Sequence, residues 1–399
     1  MDLSRELSDE EICDLIGSVV SREARDRPMT IKDRAELERT IFNSLRKLDV
    51  LQELVDDRDV TEIMVNGPND IFYEKAGRIQ RFKGHFSSEE KLEDVIQQIV
   101  GRHNRVVNQA SPIVDTRLSD GSRVNIVLNP ISIGGSAVSI RKFPEHPMSM
   151  ERLVEIEALS PEVARLLQIL TQAKYNIFIS GGTGSGKTTF LNALSQYIPD
   201  DERIITIEDS AELQLLGAKN IVRLETRNAN TDGVTPITIR DLIRTALRMR
   251  PDRIIVGECR GAEALDMLQA MNTGHDGSLT TTHANSPRDA VSRLETMVMM
   301  GGVELPSKAI RDQIASAIDL IVQQSRLRDG TRKVVSVTEV TGMEGNVVQM
   351  QDIFKYEHTG ETGVDGKFIG DFVATGIIPN ALEKIRENGV AVNNDWFTN

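Results

Sequence analysis

One short stretch limits the possible folds more than any other part of the chain. Residues 178–194 read FISGGTGSGKTTFLNAL, and within them Gly181 to Thr188 fit the pattern G-x-x-x-x-G-K-[ST]. A mostly apolar run precedes the pattern and a helix-like run follows it, as a phosphate-binding loop between a strand and a helix requires. Glycines let such a loop turn successive N–H groups inward at a helix N-terminus, where the helix dipole also favours anions. The stretch therefore predicts a nucleotide-binding α/β domain.

We expect the whole loop and the start of its helix to contact the nucleotide. Lys187 should reach the β- and γ-phosphates of ATP, and the Thr188 hydroxyl should bind Mg²⁺ together with ATP. The alternative is a glycine-rich turn that carries an exposed lysine and has no ligand. The predicted nucleotide-binding residues are Gly181, Gly182, Thr183, Gly184, Ser185, Gly186, Lys187, Thr188 and Thr189.

Length and charge exclude several classes of protein. The chain has 399 residues, enough for two or three domains. Its formal net charge of −13 argues against a protein whose main role is to bind nucleic acid, because phosphate neutralisation requires clustered Lys and Arg. Cys13 and Cys259 cannot form a disulfide framework or a four-thiolate zinc site, and they fit a reducing compartment.

Hydropathy bears on the location of the protein. The chain has no apolar run of about 18 residues, and its first residues lack the basic and apolar regions of a signal peptide. We therefore expect a cytoplasmic protein whose association with a membrane is peripheral and depends on partners.

The first part of the chain changes from a helical pattern to a strand pattern. Residues 1–50 predict a helical extension, in which Ser8 and Glu11 form a capping-box pattern ahead of an amphipathic stripe from Ile12 to Val20. Residues 51–145 alternate β-rich runs with turn sequences, which predicts a smaller α+β domain. The stretch FPEHPMSM at 143–150 contains two prolines, and residues 146–155 are interpreted as a linker.

The rest of the chain has an α/β pattern. Residues 156–340 alternate strand-like and helix-like runs, which predicts a mostly parallel sheet with ligands at the carboxyl ends of its strands. Residues 341–399 are interpreted as a C-terminal tail region, with HTGETGVDGKF as a loop and ALEKIREN as a short helix. The predicted strands are 175–180, 203–208, 253–258, 278–283 and 320–324.

Acidic residues follow two of these strands. RPDRIIVGECRG resembles a Walker B strand, but Gly257 stands where an aspartate usually precedes the glutamate. Glu258 is then the carboxylate expected to orient or deprotonate the attacking water. TIEDSAEL offers Glu208, Asp209 and Glu212 as further acids, and we expect Glu208 and Glu258 to contact magnesium through water. For each of these acids the alternative is a helix N-cap or a solvated turn.

Two histidines lie in TGHDGSLTTTHANSP. His275 and His283 could suggest a metal pair, but Cys259 alone does not complete a first shell of ligands. A hydrogen-bonding sensor of the γ-phosphate is the better hypothesis for His283. A structural histidine is the alternative, and it is favoured for His275.

The combination of motifs resembles a known family. GGTGSGKTT, TIEDSAEL, LRMRPDRIIVGECRG and TGHDGSLTTTHANS occur in the order and spacing of the Walker A, aspartate-box, atypical Walker B and histidine-box motifs of secretion ATPases. With VTEIMVNGPNDIFYEKAGRI and DTRLSDGSRVN upstream, the chain resembles CpaF-type ATPases of tight-adherence (Tad) pili. These ATPases lie within the type II/type IV secretion ATPase superfamily. The resemblance covers roughly residues 50 to 360.

The resemblance implies a RecA-like ATPase core that uses ATP and Mg²⁺. It also implies a homo-hexameric ring that acts on an inner-membrane platform protein, at the cytoplasmic face of the membrane, in pilus extension and retraction. By motif, Glu208 and Glu212 are aspartate-box acids, Glu258 is the catalytic glutamate and His283 is the histidine-box residue. Arginines of the N-terminal domain are implied at the nucleotide, and the matching candidates are Arg117, Arg123 and Arg141.

Other functions fit parts of the same pattern. The main alternative is a conjugation-type or nucleic-acid-translocating secretion ATPase, against which the acidic balance and the lack of an aromatic and basic strip count. A small-molecule kinase would need an acceptor pocket. A ring with inactive nucleotide sites is disfavoured because Lys187, Thr188 and Glu258 are all present.

Overall fold

The chain forms two compact units, 1–145 and 146–399. Each unit has its own hydrophobic core. Within the described residues, no helix combines the length and the apolar character needed to span a bilayer. The computed structural model describes residues 7–25, 29–75, 77–102, 106–143, 147–215, 217–227, 235–364, 366–377, 379, 382–387 and 389.

The helices of the first unit begin with the predicted capping box. The Ser8 hydroxyl accepts a hydrogen bond from the Glu11 N–H at 3.3 Å, and the Glu11 carboxylate accepts one from the Ser8 N–H at 2.9 Å. Two long helices follow within the segment predicted to be helical, and of the predicted stripe Ile16 and Val20 are buried. Residues 1–6 and 26–28 lie outside the described ranges. The helices are α1 (Asp9–Glu23), α2 (Ile31–Arg46), α3 (Leu51–Asp56) and α4 (Glu89–Gly101).

An antiparallel six-stranded sheet forms the rest of the first unit. Its strand order is β3-β2-β1-β6-β5-β4, and alternate residues of the central strands are buried, as a sheet with one covered face requires. Leu92, Ile96 and Ile99 of α4 lie in the same core as these strands. The strands are β1 (Val60–Asn66), β2 (Ile71–Lys75), β3 (Arg78–Arg81), β4 (Ile113–Arg117), β5 (Arg123–Val127) and β6 (Ala137–Arg141).

The second unit contains a nine-stranded sheet of order β15-β14-β13-β12-β7-β11-β10-β8-β9. The six strands from β12 to β9 in this order are parallel to one another. The predicted mostly parallel α/β core is thus confirmed. The strands are β7 (Ile177–Gly181), β8 (Arg203–Glu208), β9 (Asn220–Glu225), β10 (Arg253–Val256), β11 (Leu279–Thr282), β12 (Leu320–Arg326), β13 (Arg332–Glu344), β14 (Val347–Thr362) and β15 (Phe368–Ala374).

Helices cover both faces of this sheet. Ile177 and Ile179 belong to one hydrophobic cluster while Phe178 between them belongs to another, because successive residues of a strand point to opposite faces. Both faces are buried along β7, β8 and β10, which is why these parallel strands are mostly apolar. The helices are α5 (Met150–Glu155), α6 (Pro161–Gln172), α7 (Lys187–Ser195), α8 (Ile239–Ala246), α9 (Glu263–Asn272), α10 (Pro287–Met300), α11 (Ser307–Ala317) and α12 (Leu382–Glu387).

The region near the C-terminus contains more β-structure than its sequence predicts. The predicted loop HTGETGVDGKF is wrong for residues 358–362, which continue β14. The boundary predicted at 340/341 does not coincide with a break in the sheet, since β13 crosses it and β14 and β15 extend the same sheet. These antiparallel strands escaped the sequence interpretation because their exposed faces carry mixed polar residues instead of an apolar run. Helix α12 forms within the predicted short helix.

Candidate active site

The glycine-rich loop connects β7 to α7, as its sequence predicts. Gly184 and Gly186 have φ angles of 71° and 99°, which favour glycine. Gly181 is required for a different reason. A Cβ atom on it would lie 2.5 Å from the Ser185 hydroxyl and 2.6 Å from the carbonyl oxygen of Gln324. The loop is therefore closed so tightly that side chains are excluded at its start.

Lys187 lies inside this loop. Its side chain is 7% exposed, and its ammonium group donates to the carbonyl oxygens of Gly181 at 3.1 Å and Gly182 at 3.0 Å. Burial lowers the pKa of Lys187, although the negative charge of Glu258 opposes that effect. The lysine charge is thus held by neutral carbonyl dipoles, and an anionic phosphate oxygen would be a stronger partner for it.

His283 joins Lys187 to Glu258. The Lys187 ammonium lies 3.3 Å from Nδ1 of His283, and Nε2 of the same ring lies 3.0 Å from Oε1 of Glu258. Since a protonated lysine can only donate, Nδ1 must accept, which leaves the ring hydrogen of the neutral imidazole on Nε2. The contact between Nε2 and Oε1 of Glu258 is close but lacks hydrogen-bond geometry, and among the described residues this buried oxygen has no hydrogen-bond partner. Burial and the nearby lysine lower the pKa of His283, which agrees with this neutral tautomer. The other oxygen of Glu258 accepts a hydrogen bond from Arg260 at 2.5 Å.

Glu208 explains the missing aspartate before Glu258. Strands β8 and β10 are parallel neighbours, and Ile207 lies beside Val256. The next residues are therefore Glu208 and Gly257, and a Cβ on Gly257 would lie 2.9 Å from the Glu208 side chain. The buried Glu208 carboxylate accepts hydrogen bonds from the N–H groups of Glu212 at 2.8 Å and Leu213 at 2.9 Å. A carboxylate from β8 thus occupies space that a side chain at position 257 would need.

The other predicted residues of the site differ in exposure. Ser185 is buried, Gly182 and Thr188 are half-buried, and Thr183 and Thr189 are exposed. Glu212 is half-buried, and its backbone N–H donates a hydrogen bond to the Glu208 carboxylate. The roles assigned to these side chains stay predictions. His275 Nδ1 lies 3.3 Å from the Ala270 carbonyl oxygen, as suits a structural histidine.

Two arginines of the site were missed by the sequence interpretation. Arg260 lies between Glu258 and Asp209, at 2.5 Å and 3.8 Å from their carboxylates. Its position two residues after the predicted catalytic glutamate was an available signal. Arg332 donates through Nε to the Gly184 carbonyl oxygen at 2.9 Å. No local pattern connects Arg332 to the loop, because the two residues are 148 positions apart.

Comparison with known proteins shows the family. The profile described as "Type II/IV secretion system protein" matches residues 44–366. The chain belongs to this family. A putative conjugal transfer protein of Mycobacterium tuberculosis is 33% identical over 315 residues, covering 77% of this chain and 89% of the relative. The type IV secretion system protein VirB11 of Brucella suis is 32% identical over 316 residues, covering 72% of this chain and 88% of the relative. The protein is a secretion ATPase.

Solved structures support the same fold for this secretion ATPase. The pilus retraction motor PilT with bound ADP has a TM-score of 0.57 and 20% identity, covering 86% of each chain. The Legionella pneumophila ATPase DotB has a TM-score of 0.50 and 22% identity, covering 76% of this chain and 81% of that one. The predicted RecA-like core is therefore confirmed at the level of the fold.

The three arginines predicted from the resemblance form a row in the first unit of the secretion ATPase. Arg117 pairs with Arg123 across β4 and β5, and Arg123 pairs with Arg141 across β5 and β6. Directly opposed residues lie on the same face of a sheet, so the three side chains share one face. Arg123 is 3.7 Å from Asp115 and Arg141 is 4.0 Å from Glu62. Their role at the nucleotide stays a prediction.

The residues present fit magnesium that arrives with ATP. Within the described part of the chain, no cluster of three or more His, Cys, Asp or Glu side chains could hold a metal ion alone. Mg²⁺ in nucleotide sites usually keeps several waters and binds through substrate phosphates with one or two protein ligands. Thr188, half-buried near the start of α7, and the acids Glu208 and Glu258 are the candidates for such ligands, and this role stays a prediction.

The lowered pKa of His283 leads to a pH prediction. Its ring faces Lys187, Arg260 and Arg293, which disfavour its protonation, and Glu258, which favours it. Because the folded pKa lies below the ordinary value of 6.5, stability present above about pH 6.5 is lost as the pH falls through the folded pKa. We expect His283→Gln to reduce the drop in melting temperature between pH 7.5 and pH 5.

The matched control for this experiment is His275→Gln, which removes a histidine from the same segment away from Lys187. It should leave the acid-dependent drop as in the parent. An equal drop in His283→Gln and the parent would show that the neutral bridge to Lys187 does not contribute to stability.

Proposed function

We propose that this secretion ATPase is the motor of a Tad-type pilus. It would work as a homo-hexamer at the cytoplasmic face of the inner membrane, attached through an inner-membrane platform protein and driving pilus extension and retraction. The observation that carries ATP hydrolysis is the bridge from Lys187 through His283 to Glu258. The Tad assignment is supported by the two segments upstream of the shared motifs, VTEIMVNGPNDIFYEKAGRI and DTRLSDGSRVN, which resemble CpaF-type proteins.

The proposed reaction is hydrolysis of ATP to ADP and phosphate. Loop N–H groups and Lys187 bind the β- and γ-phosphates, and Lys187 then exchanges loop carbonyls for phosphate oxygens. Glu258 orients a water and accepts its proton as the water attacks the γ-phosphorus. Arg260 donates a hydrogen bond to one oxygen of that carboxylate, and the His283 ring lies 3.0 Å from the other. Magnesium, bound with ATP near Thr188, would neutralise charge on the phosphates.

In this proposal Lys187 and His283 also respond to whether a γ-phosphate is bound. When a phosphate oxygen replaces Nδ1 of His283 as a partner of Lys187, the imidazole becomes free to turn toward the γ-phosphate. The bridge to Glu258 then depends on the nucleotide. This is a local route by which binding could prepare the carboxylate for catalysis.

Conjugal transfer of DNA is the second candidate function. The observation that favours it is the 33% identity to a putative conjugal transfer protein over most of both chains. A secretion motor of this kind could move protein or nucleic acid with the same ATPase core. The net charge of −13 favours the pilus function, because prolonged contact with DNA requires clustered positive charge.

The two candidates predict opposite outcomes in cells. A chromosomal Glu258→Gln substitution should abolish surface pili and leave plasmid transfer unchanged if the proposal is right. Surface pilin can be measured by immunoblot of sheared fractions, and transfer can be measured by mating frequency in the same strain. Lost transfer with normal pili would overturn the proposal in favour of the conjugal function.

A control for expression is the Glu304→Gln variant, which changes an exposed carboxylate. It should be normal in both assays. Phosphate release measured across the fractions of a sizing column then tests the hexamer, since activity should follow the hexamer peak. Full activity in a monomer peak would contradict the proposed ring.

A further inference from the structure

A second element holds the phosphate loop in addition to β7 and α7. It is the hairpin of β12 and β13, whose first strand runs parallel to β7. Arg332, the first residue of β13, donates through Nε to the Gly184 carbonyl oxygen at 2.9 Å, and its Cδ lies 3.5 Å from where a Cβ on Gly186 would be. We propose that Arg332 is a positioning residue that orients the phosphate loop for nucleotide binding.

The bond acts on one peptide group of the loop. The carbonyl of Gly184 accepts from Arg332, and the N–H of Ser185, on the other side of the same peptide, donates to the Gly182 carbonyl at 3.3 Å. In a trans peptide the oxygen and hydrogen point in opposite directions, so fixing both fixes the plane of the group. Gly184, at a φ of 71°, has no side chain that would otherwise restrict rotation of this peptide.

Rotation of that peptide would oppose nucleotide binding. The loop binds anions with inward N–H groups, and a carbonyl oxygen turned toward the phosphates would repel them. A loop already held in its binding geometry also loses less conformational entropy when the ligand binds. Removing the Arg332 bond should therefore weaken nucleotide binding while leaving the chemical step unchanged.

The backbone that carries Arg332 is itself well anchored. Lys333, the next residue, is buried and donates from Nζ to the Glu157 carbonyl at 2.6 Å. The N–H of Val334 donates to the Ala158 carbonyl at 2.8 Å. The first residues of β13 are thus tied to the segment between α5 and α6. This fixed support lets a flexible arginine side chain hold the loop.

The charge of Arg332 is not used by an acidic partner. Within the described residues, it has no carboxylate within 4.0 Å, and its side chain is exposed. Its cross-strand neighbour is Arg326, and like charges in opposed positions are unfavourable. Arg332 therefore contacts the loop through a hydrogen bond to a neutral carbonyl group. This contact fits a residue that positions the loop better than one that stabilises the fold through an ion pair.

Two substitutions separate the hydrogen bond from the charge. In Arg332→Gln, the side-chain Nε2 follows Cδ as Nε does in arginine, so a donor is retained without the charge. In Arg332→Met, the terminal methyl group takes that position and the donor is lost. Arg326→Ala is the matched control, since it removes a positive charge at the same level of the hairpin.

The measurement is the affinity of the full-length ATPase for fluorescently labelled ADP, with KM, kcat and melting temperature alongside. We expect Arg332→Met to weaken ADP binding and raise KM by about three- to tenfold, the usual range for one hydrogen bond. Its kcat and melting temperature should be close to the parent values. Arg332→Gln and Arg326→Ala should bind ADP within about twofold of the parent.

Several results would overturn the proposal. Parental affinity in Arg332→Met would show that the hydrogen bond does not position the loop. Equal losses in the Met and Gln variants would assign the effect to charge, and a lowered melting temperature in the Met variant would assign it to the fold. Because ADP binding is measured directly, these outcomes do not depend on the pilus function or on turnover.

Discussion

Glu258→Gln is expected to reduce turnover by about 100-fold or more while nucleotide binding is retained. Glutamine keeps the shape of the side chain but cannot accept a proton from the attacking water. It also loses the negative charge that faces His283 and Arg260. The comparison is Lys187→Ala, which should abolish tight nucleotide binding because it removes the buried cation of the phosphate loop.

The measurements are kcat from phosphate release and nucleotide affinity from fluorescence titration, on the same preparations. Glu304→Gln provides an exposed carboxylate as the matched control, and it should behave as the parent. A kcat for Glu258→Gln within about tenfold of the parent, an effect near 1.4 kcal/mol, would remove Glu258 from the catalytic role.

Removal of Arg117 or Arg123 is the second large expected effect. If they act as arginine fingers, each alanine substitution should lower kcat by about 1,000-fold, because developing charge on the transferred phosphoryl group requires nearby cations. The row of Arg117, Arg123 and Arg141 on one face of the sheet is suited to an anion. The ion pairs of Arg123 and Arg141 are long and partly exposed, so their loss should affect stability little.

The control for these variants is Arg78→Ala. Arg78 is exposed on β3, at the opposite edge of the same sheet, and its removal should leave turnover unchanged. Near-parental turnover in both Arg117→Ala and Arg123→Ala would refute the finger hypothesis. A large common fall in melting temperature would instead show that the arginines are structural.

The local sequence was sufficient to predict the phosphate loop. The glycines at 184 and 186 are required by positive φ angles, and the lysine follows them at the start of a helix, so the relevant interactions lie within a few residues. The parallel strands β7, β8 and β10 were also predictable because both of their faces are buried and they read as mostly apolar runs. The parallel edge strand β9 was not predicted, and its residues are half-buried or exposed. The antiparallel strands β14 and β15 lacked that signal.

Contacts between distant strands could be seen only in the folded chain. In the sequence, Gly257 departs from the Walker B pattern because it replaces the usual aspartate. In the structure, β8 lies beside β10 and brings Glu208 against Gly257, so a side chain at position 257 would be unfavourable. The bridge from Lys187 through His283 to Glu258 joins three strand ends, and Arg332 reaches the loop from a fourth strand. A sequence pattern within one strand or loop reflects backbone conformation and burial, and these depend largely on residues that are close in the sequence. The partners of a side chain across a sheet depend on strand order, which the chain acquires only when it folds.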